Sequence, residues 1–252
     1  LEAIRSGAVE VLAKPGPAYS IGDMGIELRE KIKAAAKVDI QKLASLTTPP
    51  KDSERVMRLV RTTDKIVALG ASTGGTQAIE AVLRRFPANA PGTAIVQHMP
   101  AGFTKSFSER LNSICEVEVR EAENGDSIAP GKVLIAPGNR HMIIKQSGAQ
   151  YIVEVKDGPL VGRHRPAVDV LFKSAAAFVG RNAVGVILTG MGKDGAEGML
   201  KMKEGGAVNI AQDESSCVVY GMPKAAVEIG AVEHILPLDK IAAKILELAA
   251  SN

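Results

Sequence analysis

The chain has 252 residues, 46% of them hydrophobic and 23% charged, enough apolar matter for a buried core and the wrong balance for a disordered or collagen-like chain. With five Phe, three Tyr and no Trp it lacks the aromatic platforms of a base-stacking nucleic-acid binder, and a net charge of +3 is too small to define a polyanion-binding protein. Cys115 and Cys217 form neither a CxxC pair nor a disulfide framework, so a reducing cytoplasm is expected.

The position of the charge says more than its size. Residues 1–40 carry six basic and six acidic side chains, and residues 63–252 carry twenty of each, so the excess lies in residues 41–62. No apolar run is long enough to span a bilayer, and no membrane insertion is expected. The start, Leu1-Glu2-Ala3-Ile4-Arg5, has no Met and no basic-then-apolar leader, so the chain reads as part of something longer.

Residues 1–6 read as a helix end closed by Gly7, and Val9–Ala13 as a short strand stopped by Lys14-Pro15-Gly16-Pro17. Residues 24–38 read as a helix with Ile26, Leu28, Ile32 and Ala35 on its apolar side and a Glu27–Lys31 pair. Residues 39–62 contain Thr47-Thr48-Pro49-Pro50-Lys51-Asp52-Ser53, a polar, proline-broken stretch expected to be an interdomain linker.

From residue 63 strands and helices alternate. Lys65–Gly70 and Thr93–His98 are strands, each followed by a helix, over 76–86 and 102–113. Short strand signals follow near 117–120, 132–136, 141–145 and 151–155, with Gly/Ser turns that imply an antiparallel part. A helix opens at Pro166 and runs to about Phe178. Strands over 183–189 and 207–211 then alternate with helices over 194–204, 222–230 and 238–250. The expected fold is α/β: a doubly wound, mostly parallel, Rossmann-like sheet with helices on both faces and an antiparallel hairpin segment. Ligands in such folds sit beyond the carboxyl ends of the strands.

Three strand ends carry chemistry. The first gives Gly70-Ala71-Ser72-Thr73-Gly74-Gly75, the second Gln97-His98-Met99-Pro100, the third Leu188-Thr189-Gly190-Met191-Gly192-Lys193-Asp194-Gly195. Ser72 sits in a G-x-S-x-G turn whose small neighbours leave its hydroxyl exposed. A serine hydroxyl is a weak nucleophile until a base takes its proton, and His98 suits that role. Asp194 would hold the imidazole tautomer. Amides after Ser72 and in the 190–192 turn are placed to face an oxyanion.

Blander readings exist for each residue. A dinucleotide turn needs a second glycine where Ser72 stands, and a Walker A loop needs the missing GK[ST]. His98 alone could be a core histidine, and Asp194 alone a cap for the helix that follows it. The chain order Ser72, Asp194, His234 matches α/β-hydrolases, but Val232–Leu236 reads as a strand, which favours His98. Arg163, His164 and Arg165 precede a helix and could bind an acidic substrate segment or a carboxylate at the helix N-terminus, or pair with Asp157 or Asp169. Both cysteines and the eight Met residues read as packing residues, and His141 and His164 have no metal-ligand spacing.

The segments Ile66–Thr76, Gln97–Thr104, Arg163–Phe172, Leu188–Ala196 and Ser216–Pro223 closely resemble the chemotaxis protein-glutamate methylesterase family, CheB, over about residues 63–250. The resemblance implies a receiver remnant at 1–38, with Lys14-Pro15 as its signature pair, a linker at 39–62 and an esterase at 63–252. It implies Ser72 as nucleophile, His98 as general base and acid, Asp194 as orienter, and the Thr73 and Met191 amides as oxyanion donors. The implied substrate is a glutamate γ-methyl ester on a chemoreceptor, with certain receptor glutamines deamidated at the same site. The other implied partner is the chemotaxis histidine kinase, acting on the receiver of the longer protein, whose phospho-acceptor aspartate lies upstream. Neither metal nor organic cofactor is expected, nor any nucleic acid, and the chain is expected to be a monomer.

Overall fold

The computed structural model describes residues 3, 8–12, 21–36, 38 and 64–250. Ile66–Ala71 is apolar at every position apart from one glycine, and all six residues are buried as strand β1. A strand that is apolar on both sides needs cover on both faces, and the rest of the domain supplies it. After β1 come α2 (Gly75–Leu83), β2 (Gly92–Gln97), α3 (Phe103–Ile114) and β3 (Glu118–Glu121), α1 being the N-terminal Ile21–Ala35. Then follow β4 (Ser127–Ile128), β5 (Lys132–Ile135), β6 (His141–Ser147), β7 (Gln150–Lys156), α4 (Val168–Phe178) and β8 (Ala183–Ile187). The chain closes with α5 (Ala196–Glu204), β9 (Val208–Gln212), α6 (Met222–Glu228), β10 (His234–Leu236) and α7 (Leu238–Ala250).

Seven strands form one sheet in the order β10-β9-β8-β1-β2-β5-β3, with every neighbouring pair parallel. The antiparallel part is a separate sheet, β4-β7-β6. The expected strands near 117–120 and 132–136 therefore belong to the parallel sheet, and those near 141–145 and 151–155 form the hairpin. Val67, Leu69 and Ala71 face one core with Ile79, Val82 and Leu83 of α2, Phe107 and Leu111 of α3 and Ile241 and Ile245 of α7. Ile66 and Ala68 face the other, with Leu171 and Phe172 of α4, Met199 and Met202 of α5, Met222 of α6 and Met142 and Ile144 of the hairpin. The chain leaves β1 for β2 on one side and later returns to β8 on the other, so the strand order reverses at β1. That reversal opens a crevice at the carboxyl ends of β1, β2 and β8.

The N-terminal expectations fare differently. Residues 8–12 form no strand, with a bend at Val9, which corrects the strand expected at Val9–Ala13 over its described residues. A strand needs a hydrogen-bonded neighbour, and none is present among the described residues. Helix α1 forms three residues earlier than expected, and its apolar side is open: Leu28 and Ile32 are 41% and 58% exposed. Lys31 reaches Glu10 Oε2 at 2.9 Å and the Val11 carbonyl at 2.7 Å, while the Glu27 side chain lies outside the described residues. The helix end at 1–6 and the linker at 39–62 also lie outside them, apart from residue 3. Among the described residues no helix is long and apolar enough to cross a membrane.

Candidate active site

The parallel register brings the serine and the histidine together. Ala71 of β1 is matched with Gln97 of β2, so Ser72 and His98 are the next residues beyond two paired strand ends. The His98 amide donates to the Ala71 carbonyl at 3.1 Å, and both side chains line one cleft. On the other side β8 continues the ladder past its own end: the Leu188 amide donates to Gly70 O at 2.9 Å and the Ser72 amide to Thr189 O at 3.0 Å. The loop after β8 then carries Asp194 to His98, with Asp194 Oδ2 2.8 Å from His98 Nε2.

Asp194 is buried, and a buried carboxylate needs donors. It finds them at the start of α4: the Val168 amide donates to Oδ2 at 2.7 Å and the Asp169 amide to Oδ1 at 3.0 Å. The capping role weighed for Asp194 is thus real but falls on a different helix. Gly195, not Asp194, is the N-cap of α5, and Asp194 caps α4 from across the fold. Burial works against the charge of Asp194. The His98 hydrogen bond and the two amides outweigh it and hold the carboxyl below its ordinary value. With Nε2 on Asp194, Nδ1 is the ring nitrogen left for Ser72, and it is buried with no hydrogen-bond partner among the described residues.

Peptide orientation around the serine follows from two carbonyl anchors. Gln97 Nε2 donates to Ser72 O at 2.9 Å. In a planar trans peptide N–H and C=O point opposite ways, so the Thr73 N–H is directed away from Gln97. Gly190 O accepts from the Gly221 and Met222 amides at 3.1 and 2.8 Å, which turns the Met191 N–H away from them. Neither the Thr73 nor the Met191 amide has a hydrogen-bond acceptor among the described residues. Thr189 Oγ1 donates to Thr73 O at 2.9 Å and pins the turn from behind. Two glycines make the geometry possible. Gly74 has φ of 79°, the left-handed region, and a Cβ on Gly190 would lie 2.8 Å from Ser72 Cβ.

Other candidates separate from this cluster. His234 begins β10, the edge strand three places from β1, about 14 Å away at the usual strand spacing. His141 is a satisfied core histidine: Nε2 donates to Pro159 O at 2.8 Å, and Nδ1 accepts from the Ala167 amide at 3.3 Å. Arg165 is turned to Asn139 Oδ1, at 3.0 and 2.6 Å, and to Gly158 O, so it braces the loop before α4 and pairs with neither Asp157 nor Asp169. Arg163 is exposed at the tip of the adjoining turn. Cys217 is buried, and burial with the Glu80 charge pushes the Cys115 thiol up to about 11, which leaves it unreactive.

Gln97 and Thr189 were assigned no role from the sequence, and His164 was read only with Arg163 and Arg165 as a polar group before a helix. The first two are fully buried polar residues at strand ends, a pattern visible in Thr93–His98 and Ala183–Thr189 but silent about which carbonyls they hold. His164 lies face to face with His98, with ring centroids 3.8 Å apart and planes 13° apart. The N-terminal segment also reaches the site: Val9, Glu10, Val11 and Lys31 line the cleft opposite Ser72 and His98.

A doubly wound parallel sheet presenting serine, histidine and aspartate at its switch point carries side chains of the kinds that acyl-transfer enzymes use. The profile of the CheB methylesterase family matches residues 67–245, and the chain belongs to that family. It is 56% identical over 250 residues to a protein-glutamate methylesterase/protein-glutamine glutaminase of Anaeromyxobacter dehalogenans, covering 99% of this chain and 70% of that one. A protein of the same description from Syntrophus aciditrophicus is 55% identical, with 98% and 73% covered. The crystal structure of the Thermotoga maritima CheB methylesterase catalytic domain superposes with a TM-score of 0.71 at 43% identity, over 73% of this chain and 98% of that one.

Proposed function

We infer that the chain hydrolyses protein glutamate γ-methyl esters, releasing methanol, and deamidates protein glutamines at the same site. The observation that carries this reading is the buried Asp194–His98 hydrogen bond beside Ser72 at the sheet's switch point. Ser72 Oγ attacks the ester carbonyl carbon while His98 Nδ1 takes its proton. The oxyanion is received by the Thr73 and Met191 amides. The intermediate collapses to a glutamyl ester on Ser72 as the proton passes from His98 to the departing methoxide. Water, deprotonated by His98, then releases the carboxylate and returns the proton to Ser72. With glutamine the leaving group is ammonia.

The proposed substrates are methyl-accepting chemoreceptors in bacterial chemotaxis, in the cytoplasm, with Arg163 at the rim as a group for acidic receptor segments. The proposed organisation is a receiver remnant over 1–38, a linker over 39–62 and the catalytic domain over 63–252. The chain acts as a monomer, and the histidine kinase addresses the receiver of the longer protein. Methanol and ammonia release from a methylated and an amidated receptor cytoplasmic domain tests the reading. Release of both supports it. Release of neither, with calorimetric binding of a nucleotide, would favour a nucleotide-binding module instead.

The N-terminal segment partly covers the cleft, and Val9 packs against the apolar group of Val218, Val219 and Met191. The Lys31 clasp on Glu10 and Val11 holds that segment together. Lys31→Glu is therefore expected to raise turnover on a receptor substrate severalfold, while acetyl phosphate leaves both proteins unchanged. Equal turnover in the two would show that the segment does not restrict access.

A further inference from the structure

His98 is held along one edge by Asp194, and a single hydrogen bond fixes a position better than a plane. The terminal torsion of a histidine is broad, so the ring can swing about the Nε2–Oδ2 contact and carry Nδ1 away from Ser72. The face of the ring is where such a swing is stopped, and His164 occupies that face at 3.8 Å. The His164 backbone is itself fixed. Val161 and His164 exchange two amide–carbonyl hydrogen bonds of 3.1 and 2.9 Å, closing a tight turn with Gly162 and Arg163 at φ of 56° and 74°. Arg163 adopts this left-handed conformation although it has a Cβ, so the turn is held against a local cost. Four residues on, the Val168 and Asp169 amides grip Asp194. One segment, 161–169, thus supports both the face of His98 and its carboxylate partner.

We propose that His164 is a positioning residue for ester hydrolysis, its imidazole backing the His98 ring in the plane that serves Ser72 and Asp194 together. The inference rests on the function proposed above. The chemistry also requires that the backing ring stay uncharged, since His98 becomes an imidazolium in each half-reaction. Burial, then the His98 charge, lowers His164 to about 3, against the raising influence of Asp194 and with smaller lowering contributions from Arg163 and Lys31. Lys31 is in turn paired with Glu10. A neutral aromatic face toward a developing cation is favourable, whereas a second cation there would oppose proton transfer.

The test compares native protein, His164→Ala and His164→Phe on a methylated receptor domain, with folding checked by circular dichroism and thermal melting. Misplacing a base by about 1 Å can cost up to about 100-fold, so His164→Ala is expected to lose about tenfold or more in kcat with KM unchanged. Phe restores a flat neutral face and should return kcat to within about threefold of native. If His164→Ala does not fold, the Phe variant alone decides by its rate. Native kcat in His164→Ala, a change in KM alone, or a folded His164→Phe as slow as His164→Ala would each overturn the proposal. A native chain that releases no methanol would overturn the function itself and the proposal with it, a result distinct from active variants that ignore residue 164.

Discussion

Replacing His98 by Ala should lower methanol release by about 10⁴-fold or more, up to the roughly 10⁶-fold loss seen when the histidine of a serine–histidine–aspartate set is removed. Ser72→Ala should do the same, and the double variant should be no worse than either, because the two side chains act as a unit. His234→Ala should leave turnover near the native value, since β10 lies at the sheet edge and His234 does not line the cleft. The contrast discriminates sharply. The alternative set with His234 predicts the reverse pattern, and a scaffold without catalysis predicts no change from any of the three substitutions.

Asp194→Asn is the second large effect, expected at about 10⁴-fold in kcat by analogy with the same exchange in serine proteases. The carboxylate accepts from His98 and from two α4 amides at once. An amide in its place has one acceptor oxygen and presents N–H groups to one of those donors. The unpaired amide costs about 1–3 kcal/mol, so a lower melting temperature should accompany the lost activity. The pH dependence has a definite sign. Asp194 is more acidic in the folded protein than its ordinary 3.8, so its contribution is complete above that pH and disappears as acid protonates the folded form. Denaturant midpoints measured between pH 6 and 3 should fall less steeply in Asp194→Asn than in native protein. Parallel curves would show that Asp194 is not the carboxylate that supports the fold in acid.

Much of this site could be read from the sequence because it depends on strand ends. Apolar runs such as Ile66–Ala71 announce buried parallel strands, and the first polar residue after each run falls at the carboxyl edge where ligands bind. Ser72 is that first polar residue after β1, whereas His98 follows Gln97 and Asp194 lies in the loop beyond Thr189, and the register of β1 with β2 explains why Ser72 and His98 lie side by side. Contacts made across the fold were hidden. Nothing in the sequence says that the Val168 and Asp169 amides receive Asp194, because a helix N-terminus attracts any nearby carboxylate and the loop geometry selects which. His164 was hidden for the same reason, as its stacking partner lies 66 residues away. The strand expected at Val9–Ala13 is not formed over residues 9–12, which have no partner strand among the described residues.

The N-terminal segment adds a physical link between sequence parity and access. Residues 63–252 are charge-balanced at twenty against twenty, so net charge over that stretch gives no long-range pull on the proposed substrate. The local charges near the cleft are Arg163, exposed in the turn before α4, and the Glu10–Lys31 pair, 2.9 Å long.

Mass spectrometry after exposure to a fluorophosphonate tests the central claim most directly. The reagent bonds only to a serine whose proton has been taken by a neighbouring base. One adduct is expected, on the peptide that contains Ser72, in native protein and in His234→Ala, and none in His98→Ala. An adduct on another serine, or labelling of Ser72 that persists without His98, would contradict the account.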